Sequence, residues 1–202
     1  METKTFLEKV LSSEGHYCVF AAKSADERKT QKFYDSIDEV VDAARHFDQQ
    51  GYDVYYGLAT FKEVNSRKVD NVCKLKALFL DLDCGLSKDY PTQKEAFDAL
   101  RTFIKALNLP KPVIVNSGRG IHVYWRLTEA VSLIEWLPVA ERLKRVCAEK
   151  GLLADPAVTA DAARILRVPE THNHKDDPPK LVELLGHEDP ALVDFDAFAE
   201  LL

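Results

Sequence analysis

The chain has 202 residues, of which 46% are hydrophobic and 30% are charged, and its formal net charge is -6. These values are ordinary for a globular protein, and the length predicts a single domain, 1–202. The polar loop that ends near residue 70 suggests approximate lobes at 1–70 and 71–202. The acidic balance argues against a surface coated with basic residues for non-specific nucleic-acid binding, but it is compatible with a local basic groove.

The sequence also carries signals about the compartment. No apolar segment approaches the length needed to span a bilayer, and the charged residues that follow Met1 do not form a signal peptide. The cysteines lack the paired spacing of a zinc site or a disulfide framework; they are Cys18, Cys73, Cys84 and Cys147. We therefore expect a cytoplasmic protein with reduced thiols and no membrane contact.

The first part of the chain predicts helices and strands in alternation. Ser36 and Glu39 form a capping box that opens a helix, and this helix stops near Gly51. Its apolar face consists of Ile37, Val40, Val41, Ala44 and Phe47. The other segments predicted here are a helix at 4–11, a strand at 16–22, a charged loop at 24–30, a strand at 53–61 and a polar loop at 62–70.

The second part begins with a short apolar run, 77–80, which predicts a buried strand. Thr92 and Glu95 form a second capping box, and the helix that it opens extends to about Leu107. The remaining segments are strands at 113–115 and 121–125, a helix at 132–149, a short helix at 158–166, a strand at 180–184 and a final helix at 195–202. This mixture predicts an α/β or α+β fold.

Two aspartates stand at the end of the predicted strand 77–80, in the sequence Asp81-Leu82-Asp83. Side chains two residues apart on a strand point to the same face, so Asp81 and Asp83 are expected to lie side by side. Two carboxylates held that close repel each other unless a cation lies between them, and a hard divalent ion such as Mg2+ or Mn2+ prefers oxygen ligands. The alternative is that the pair caps a loop through hydrogen bonds to the backbone.

A second polar cluster, Ser117-Gly118-Arg119-Gly120, connects two predicted strands, and His122 follows it. Glycine permits close approach of a ligand, and arginine binds phosphate oxygens through two parallel hydrogen bonds. The cluster is therefore a candidate phosphate site. The alternative is a tight hairpin with an exposed arginine and a packed histidine.

A third cluster begins at Asp155, which precedes Pro156 in a pattern typical of a turn or of the first residue of a helix. Arg164 and Arg167 follow, and then a polar loop at 169–175 that ends in Lys175. The donors and the cation of this loop suit phosphate binding, whereas the alternative is a solvated polar loop.

In this order, the segments resemble one known family. They are Asp81-Leu82-Asp83, then Ser117-Gly118-Arg119-Gly120-Ile121-His122-Val123-Tyr124-Trp125, then Asp155-Pro156-Ala157-Val158 running into Arg164-Ile165-Leu166-Arg167-Val168-Pro169. The set resembles the archaeo-eukaryotic primase superfamily, and more narrowly the primase-polymerase domain of phage and plasmid replication proteins. The resemblance covers roughly residues 50–185. It implies an N-terminal α/β lobe packed on a module like an RNA-recognition motif, with the active site in the cleft between them and without that motif's stacking aromatics.

The resemblance also implies the roles of the site residues. Asp81, Asp83 and Asp155 would hold two ions of Mg2+ or Mn2+. The triphosphate would be bound by Ser117, Arg119 and His122, with Asn173 and Lys175 closing from the other side. Arg164 and Arg167 would contact nucleic acid or brace Asp155. The chain departs from the family at Glu170, where relatives usually carry glycine.

The activity implied is that of a DNA primase or DNA-directed polymerase, a nucleotidyltransferase directed by a template. Its partners would be a single-stranded DNA template with a primer and an NTP or dNTP, and relatives often continue into a helical domain and a helicase. One alternative is a phosphohydrolase of the haloacid dehalogenase type, whose nucleophile motif also reads as an apolar strand followed by Asp-x-Asp. Another is a replication-protein module that binds DNA without catalysis.

Overall fold

The computed structural model describes residues 2–23, 27–186 and 189–202. The helices are α1 Thr3–Val10, α2 Ile37–Gln49, α3 Gln93–Leu107, α4 Leu133–Glu149, α5 Pro156–Thr159 and α6 Phe195–Glu200, with a 3-10 turn at Val69–Asn71. The strands are β1 Tyr17–Lys23, β2 Arg28–Tyr34, β3 Asp53–Gly57, β4 Ala59–Phe61, β5 Val72–Leu82, β6 Val113–Asn116, β7 Ile121–Val131, β8 Ile165–Arg167, β9 His172–Asn173, β10 Lys180–Leu181 and β11 Glu183–Leu185.

Two antiparallel sheets organise the fold. The four-stranded sheet has the order β2-β1-β3-β8, the five-stranded sheet has the order β11-β6-β7-β5-β4, and β9 pairs separately with β10. The succession β5-α3-β6-β7-α4, with β7 between β5 and β6, is the arrangement found in ferredoxin-like folds and RNA-recognition motifs. The predicted α+β class with such a module is therefore confirmed.

The chain crosses between the sheets twice. Strand β4 leaves the first sheet after Leu58 and pairs with β5, while β8 returns from the second part of the chain to pair with β3. The main-chain nitrogen of Leu58 donates to the carbonyl of Arg164 at 2.9 Å, which ties these two crossings together. The predicted single strand at 53–61 is thus two strands in different sheets, because this break directs them apart.

The capping and apolar patterns in the sequence correctly predicted helices α2, α3 and α4. Both predicted capping boxes are present, at Ser36 and Thr92, and Ser132 forms a third. The predicted apolar face of α2 is the face that the structure buries. Strands β5 and β7 form the centre of the core, and Trp136 of α4 donates its indole hydrogen to the carbonyl of Ala77 at 2.9 Å. Helix α4 is therefore anchored directly on the strand that carries the aspartates.

Other predicted boundaries were wrong. The predicted loop at 24–30 begins with residues 24–26, which lie outside the described residues, but Arg28–Tyr34 is strand β2. Its charged side chains hide the strand pattern, and pairing with β1 at the sheet edge supplies its backbone hydrogen bonds. The predicted helix at 158–166 ends at Thr159, because the Asp161 carboxylate accepts from the nitrogen of Ala163 in a turn, and β8 follows. The predicted strand at 180–184 is divided into β10 and β11.

In the described ranges, no helix is both long enough and apolar enough to cross a lipid bilayer. None of the cysteines forms a disulfide.

Candidate active site

The two sheets meet at an open cavity of about 1270 Å³ that contains the candidate residues. Asp81 lies at the end of β5, opposite His122 of β7, and Asp83 follows the last residue of that strand. Asp155 is held beside Asp81 by a main-chain hydrogen bond, in which the nitrogen of Asp155 donates to the carbonyl oxygen of Asp81 at 2.9 Å. Its carboxylate caps the single turn of α5 by accepting from the nitrogen of Ala157 at 2.8 Å. The structure thus brings the three predicted carboxylates together.

The electrostatics of these carboxylates are unfavourable in the protein alone. Burial, together with the charges of Asp83 and Asp155, raises the pKa of Asp81 to about 7. Asp83 forms an ion pair of 2.7 Å with Lys88, and Asp155 lies 3.7 Å from Arg164. The outer carboxylates therefore have cationic partners in contact, whereas the central one is partly buried between two like charges.

The donor chemistry of this cluster fits a hard divalent cation, because all three groups offer carboxylate oxygens. The arrangement is not that of a preformed cage: across the described ranges, no three His, Cys, Asp or Glu side chains are close enough together to hold a metal ion. Asp83 and Asp155 instead form ion pairs with Lys88 and Arg164.

The predicted phosphate turn between β6 and β7 is shaped by its glycines. A Cβ at Gly120 would lie 2.4 Å from the carbonyl oxygen of Leu82, so only glycine lets this turn approach the end of β5. Ser117 is buried, and its hydroxyl accepts from the nitrogen of Gly120 at 3.0 Å. The serine side chain therefore holds the turn itself.

His122 is buried beneath the aspartates, with its Nε2 atom 4.0 Å from Oδ1 of Asp81. Burial, aided by the charge of Arg167, lowers the pKa of His122 to about 3. The imidazole is therefore neutral at ordinary pH and has one ring N–H to donate.

Arg119 is the exposed cation of this turn, and its guanidinium is already paired with an acidic side chain. Its guanidinium donates to both carboxylate oxygens of Asp176, at 2.6 and 3.1 Å, and to the carbonyl of Lys175 at 2.8 Å. Lys180 also lies 3.1 Å from Asp176. Hydrogen bonds from Arg119 and then Lys180 lower the pKa of Asp176 to about 2. Asp176 thus accepts two hydrogen bonds from one edge of the Arg119 guanidinium.

The loop that carries Asn173 and Lys175 is held by contacts with the neighbouring turn and with helix α2. The buried Asn173 amide donates to the carbonyl of Ser117 at 2.9 Å, and its side-chain oxygen accepts from the nitrogen of Lys175. His172 and His174 both contact the carboxylate of Asp48 on α2. Asn173 therefore joins the two predicted phosphate segments, and Lys175 is left exposed at the cavity.

The two predicted arginines have different surroundings. Arg164 lies beside Asp155, in the bracing position that was one of its two predicted roles. Arg167 is buried and forms an ion pair of 2.6 Å with Asp53, another buried residue. Arg167 therefore belongs to the four-stranded sheet, and nothing in the sequence pattern indicated Asp53 as its partner.

Glu170 occupies a left-handed backbone position, with φ of 63°. Glycine adopts this conformation without steric strain, which gives a physical reason for the glycine that relatives usually carry here. The Glu170 carboxylate accepts from the hydroxyl of Thr3 at 2.7 Å. Its charge is therefore held by α1, away from the phosphate segments.

The fold is similar to the folds of solved primase and polymerase domains. The AEP domain of the cyanophage S-2L primase-polymerase matches with a TM-score of 0.65 and 18% identity, over 93% of this chain and 89% of that chain. Primase RepB′ matches with a TM-score of 0.56 and 15% identity, over 92% of this chain and 56% of that chain. The polymerase domain of Mycobacterium tuberculosis Ligase D in complex with DNA gives 0.56 and 15%, over 98% and 85%. No family model and no curated protein matches the sequence.

At sequence identities of 15–18%, the structural similarity establishes the fold alone. It confirms the fold that was predicted from the sequence motifs.

Proposed function

We propose that the chain is a template-directed nucleotidyltransferase, a DNA primase or polymerase of the kind used in phage or plasmid replication. The observation that carries this proposal is the convergence of Asp81, Asp83 and Asp155 in one cavity, within a fold shared with primase-polymerase domains. The substrates would be a single-stranded DNA template with a primer and an NTP or dNTP. A helical domain or a helicase would be a further partner.

Two divalent ions, Mg2+ or Mn2+, fit the donor set, and Asp81, Asp83 and Asp155 would hold them. Such ions lower the pKa of an attacking hydroxyl and neutralise the charge of a triphosphate. The residues themselves favour a cation at the site, because partial burial and the charges of Asp83 and Asp155 disfavour the ionised form of Asp81. Lys88 and Arg164 balance the charge of the outer carboxylates when no ion is bound.

The phosphate subsite would combine two exposed cations with one neutral donor. Arg119 and Lys175 lie at the cavity on adjacent segments, and His122 lies behind them. Ser117 and Asn173 act on the same subsite by fixing these segments to each other through the 2.9 Å bond between them. The substrate phosphate would replace Asp176 on the Arg119 guanidinium, since both are anions that accept two parallel hydrogen bonds.

The test is incorporation of labelled nucleotide on a single-stranded template, with Mg2+ or Mn2+ and with or without a primer. Asp81→Ala is expected to abolish incorporation, whereas Asp98→Ala, which removes an exposed carboxylate from α3, is the matched control. Wild-type protein that incorporates nothing under any of these conditions would overturn the proposal. Release of phosphate from a small ester without template would instead favour the phosphohydrolase, and DNA binding unchanged by EDTA without incorporation would favour the non-catalytic module.

A further inference from the structure

Two aromatic rings, Phe20 and Tyr55, lie on the cavity side of the four-stranded sheet, outside the hydrophobic core. They are directly opposite each other on β1 and β3, so both side chains project from the same face. The ring centroids are 6.1 Å apart. Both side chains are half-buried and line the cavity, and neither belongs to the core or to the residues packed against it. Partly exposed rings of this kind, away from the core, are available to a ligand.

The row of side chains across this face continues on both sides of the rings. Arg167, the next residue in register on β8, places its guanidinium carbon 4.8 Å from the centroid of the Tyr55 ring. Because Arg167 is itself held by Asp53, it fixes one side of the tyrosine. On the other side, Gln31 of β2 stands opposite Phe20 and is exposed. The rings are thus supported at the Tyr55 end and open toward the sheet edge.

The charge of this face suits a polyanion at the edge farthest from the carboxylates. Lys29 of β2 is exposed and stands opposite Ala22, which shares the cavity face with Phe20. The chain as a whole has a net charge of -6, so phosphate contacts alone offer little general attraction for nucleic acid. Stacking of bases on aromatic rings supplies affinity that does not depend on net charge, typically about 1–3 kcal/mol per base.

The aromatic residues of the other sheet do not offer the same surface. Phe79 of β5 and both Tyr124 and Trp125 of β7 are fully buried. An RNA-recognition motif stacks bases on aromatics of its own central strands, and here those positions are occupied by core residues. The surface that presents rings to the cavity is on the opposite sheet.

We propose that Phe20 and Tyr55 form a stacking platform for bases of the single-stranded template, which would run from the carboxylates across β3 and β1 toward Lys29. The platform rests on the proposed function for the identity of the strand, but its binding is measurable without catalysis. The occupant is a single-stranded polynucleotide, because the row crosses several strands and the exposed edge beside it carries a cation, Lys29, whereas a mononucleotide has only one base to stack.

The test is fluorescence anisotropy with a labelled oligo-dT, alongside binding of a single dNTP. Phe20→Ala and Tyr55→Ala are each expected to weaken oligo-dT binding by about 5- to 150-fold, the loss of one stacked base. Tyr55→Phe keeps the ring and is expected to retain binding. Phe97→Ala is the matched control, since it removes a half-buried ring of α3 that lines a different groove. The ratio of wild-type to variant affinity is expected to persist at high salt, because stacking releases no counterions.

Melting temperatures establish that the variants fold, and Phe20→Leu, which keeps apolar volume without a ring, replaces Phe20→Ala where the latter does not fold. Unchanged oligo-dT affinity in the folded Phe20 and Tyr55 variants would overturn the platform. A loss of dNTP binding with oligo-dT binding intact would also overturn it. Failure of the two proposals is distinguishable: wild-type protein that binds oligo-dT through Phe20 without incorporating nucleotide supports the platform and rejects the polymerase.

Discussion

Two carboxylates, one in each sheet, have opposite electrostatic surroundings. In the four-stranded sheet, Asp53 is 2% exposed, accepts from Arg167 at 2.6 Å and accepts from the main-chain nitrogen of His174 at 2.9 Å. In the five-stranded sheet, Asp81 has only the neutral His122 at 4.0 Å among its ion-pair partners in the described ranges. Asp53 is buried with its counter-charge, whereas Asp81 is partly buried beside the like charges of Asp83 and Asp155.

The difference separates a group that stabilises the fold from a group that destabilises it. A buried charge is tolerated when it is paired and hydrogen-bonded, and it is costly when it is not. Titratable groups held against such a cost are concentrated at functional sites. The contrast predicts that removing Asp53 harms the fold, whereas removing Asp81 harms activity and relieves the fold.

The largest expected effect is on activity. Asp81→Ala, Asp83→Ala and Asp155→Ala are each expected to lower the rate of primer extension by about 10³-fold or more, equivalent to about 4 kcal/mol of transition-state stabilisation. The reason is that each removes oxygen ligands from the proposed ion site. Initial rates at saturating template measure the loss. A variant that extends primers at the wild-type rate would remove its aspartate from the proposed site.

The second effect is on stability. Asp53→Ala leaves the Arg167 charge buried without its partner, so we expect a loss of about 3–5 kcal/mol in the free energy of unfolding. For a chain of this size that corresponds to a fall of about 10 °C in the melting temperature. The double variant Asp53→Ala with Arg167→Met is the control, because it removes both charges and is expected to be more stable than Asp53→Ala alone. Equal melting temperatures for wild type and Asp53→Ala would contradict the prediction.

The third expected effect is a gain in stability, opposite in sign to the loss expected for Asp53→Ala. The folded-state pKa of Asp81 is raised from 3.8 to about 7, so its ionised form opposes folding above pH 7, less so between these values, and not below the lower one. Asp81→Asn in EDTA is therefore expected to raise the melting temperature by about 2–6 °C at pH 8, and by progressively less toward pH 4. Asp98→Asn is the control, because that exposed carboxylate of α3 pairs with Lys94 and does not line the cavity. A lower melting temperature for Asp81→Asn at pH 8 would show that the charge is compensated.

The smallest effect concerns nucleotide affinity. Asp176→Asn removes the anion that competes with phosphate for Arg119 and Lys180, so nucleotide is expected to bind more tightly, by about two- to fivefold. The change is small because an exposed ion pair is worth only about 0–1 kcal/mol. Titration with a dNTP measures it, and Asp177→Asn is the neighbouring control. Weaker binding would mean that Asp176 orients Arg119 for the substrate instead of competing with it.

Local patterns in the sequence were enough for much of the fold. The capping boxes at Ser36 and Thr92 and the apolar strand before Asp81 depend on residues within one turn or one strand, so they could be recognised directly. Strand β2 was missed because Arg28–Tyr34 is an edge strand without a buried apolar face. Its conformation depends on pairing with β1, which no local pattern records.

The motifs in the sequence predicted candidate site residues, but not the contacts that these residues make in the folded chain. The order of the motifs predicted Asp81, Asp83 and Asp155, and the structure places them together. The ion pairs of Arg119 with Asp176 and of Arg167 with Asp53 join residues far apart in the chain, and only the folded structure brings them into contact. Phe20 lay in a predicted strand, but which of its faces meets the cavity depends on the pairing of β1 with its neighbours.

The main-chain bond between Asp155 and Asp81 sets an order of events during synthesis. The strand that carries Asp81 and Asp83 leaves the ribosome well before Asp155, so a partly made chain holds the acidic pair without the third carboxylate. The contact between Asp155 and Asp81 forms only when the segment after α4 docks on β5. The cluster of three carboxylates is therefore complete only after most of the chain has been made, as a consequence of topology.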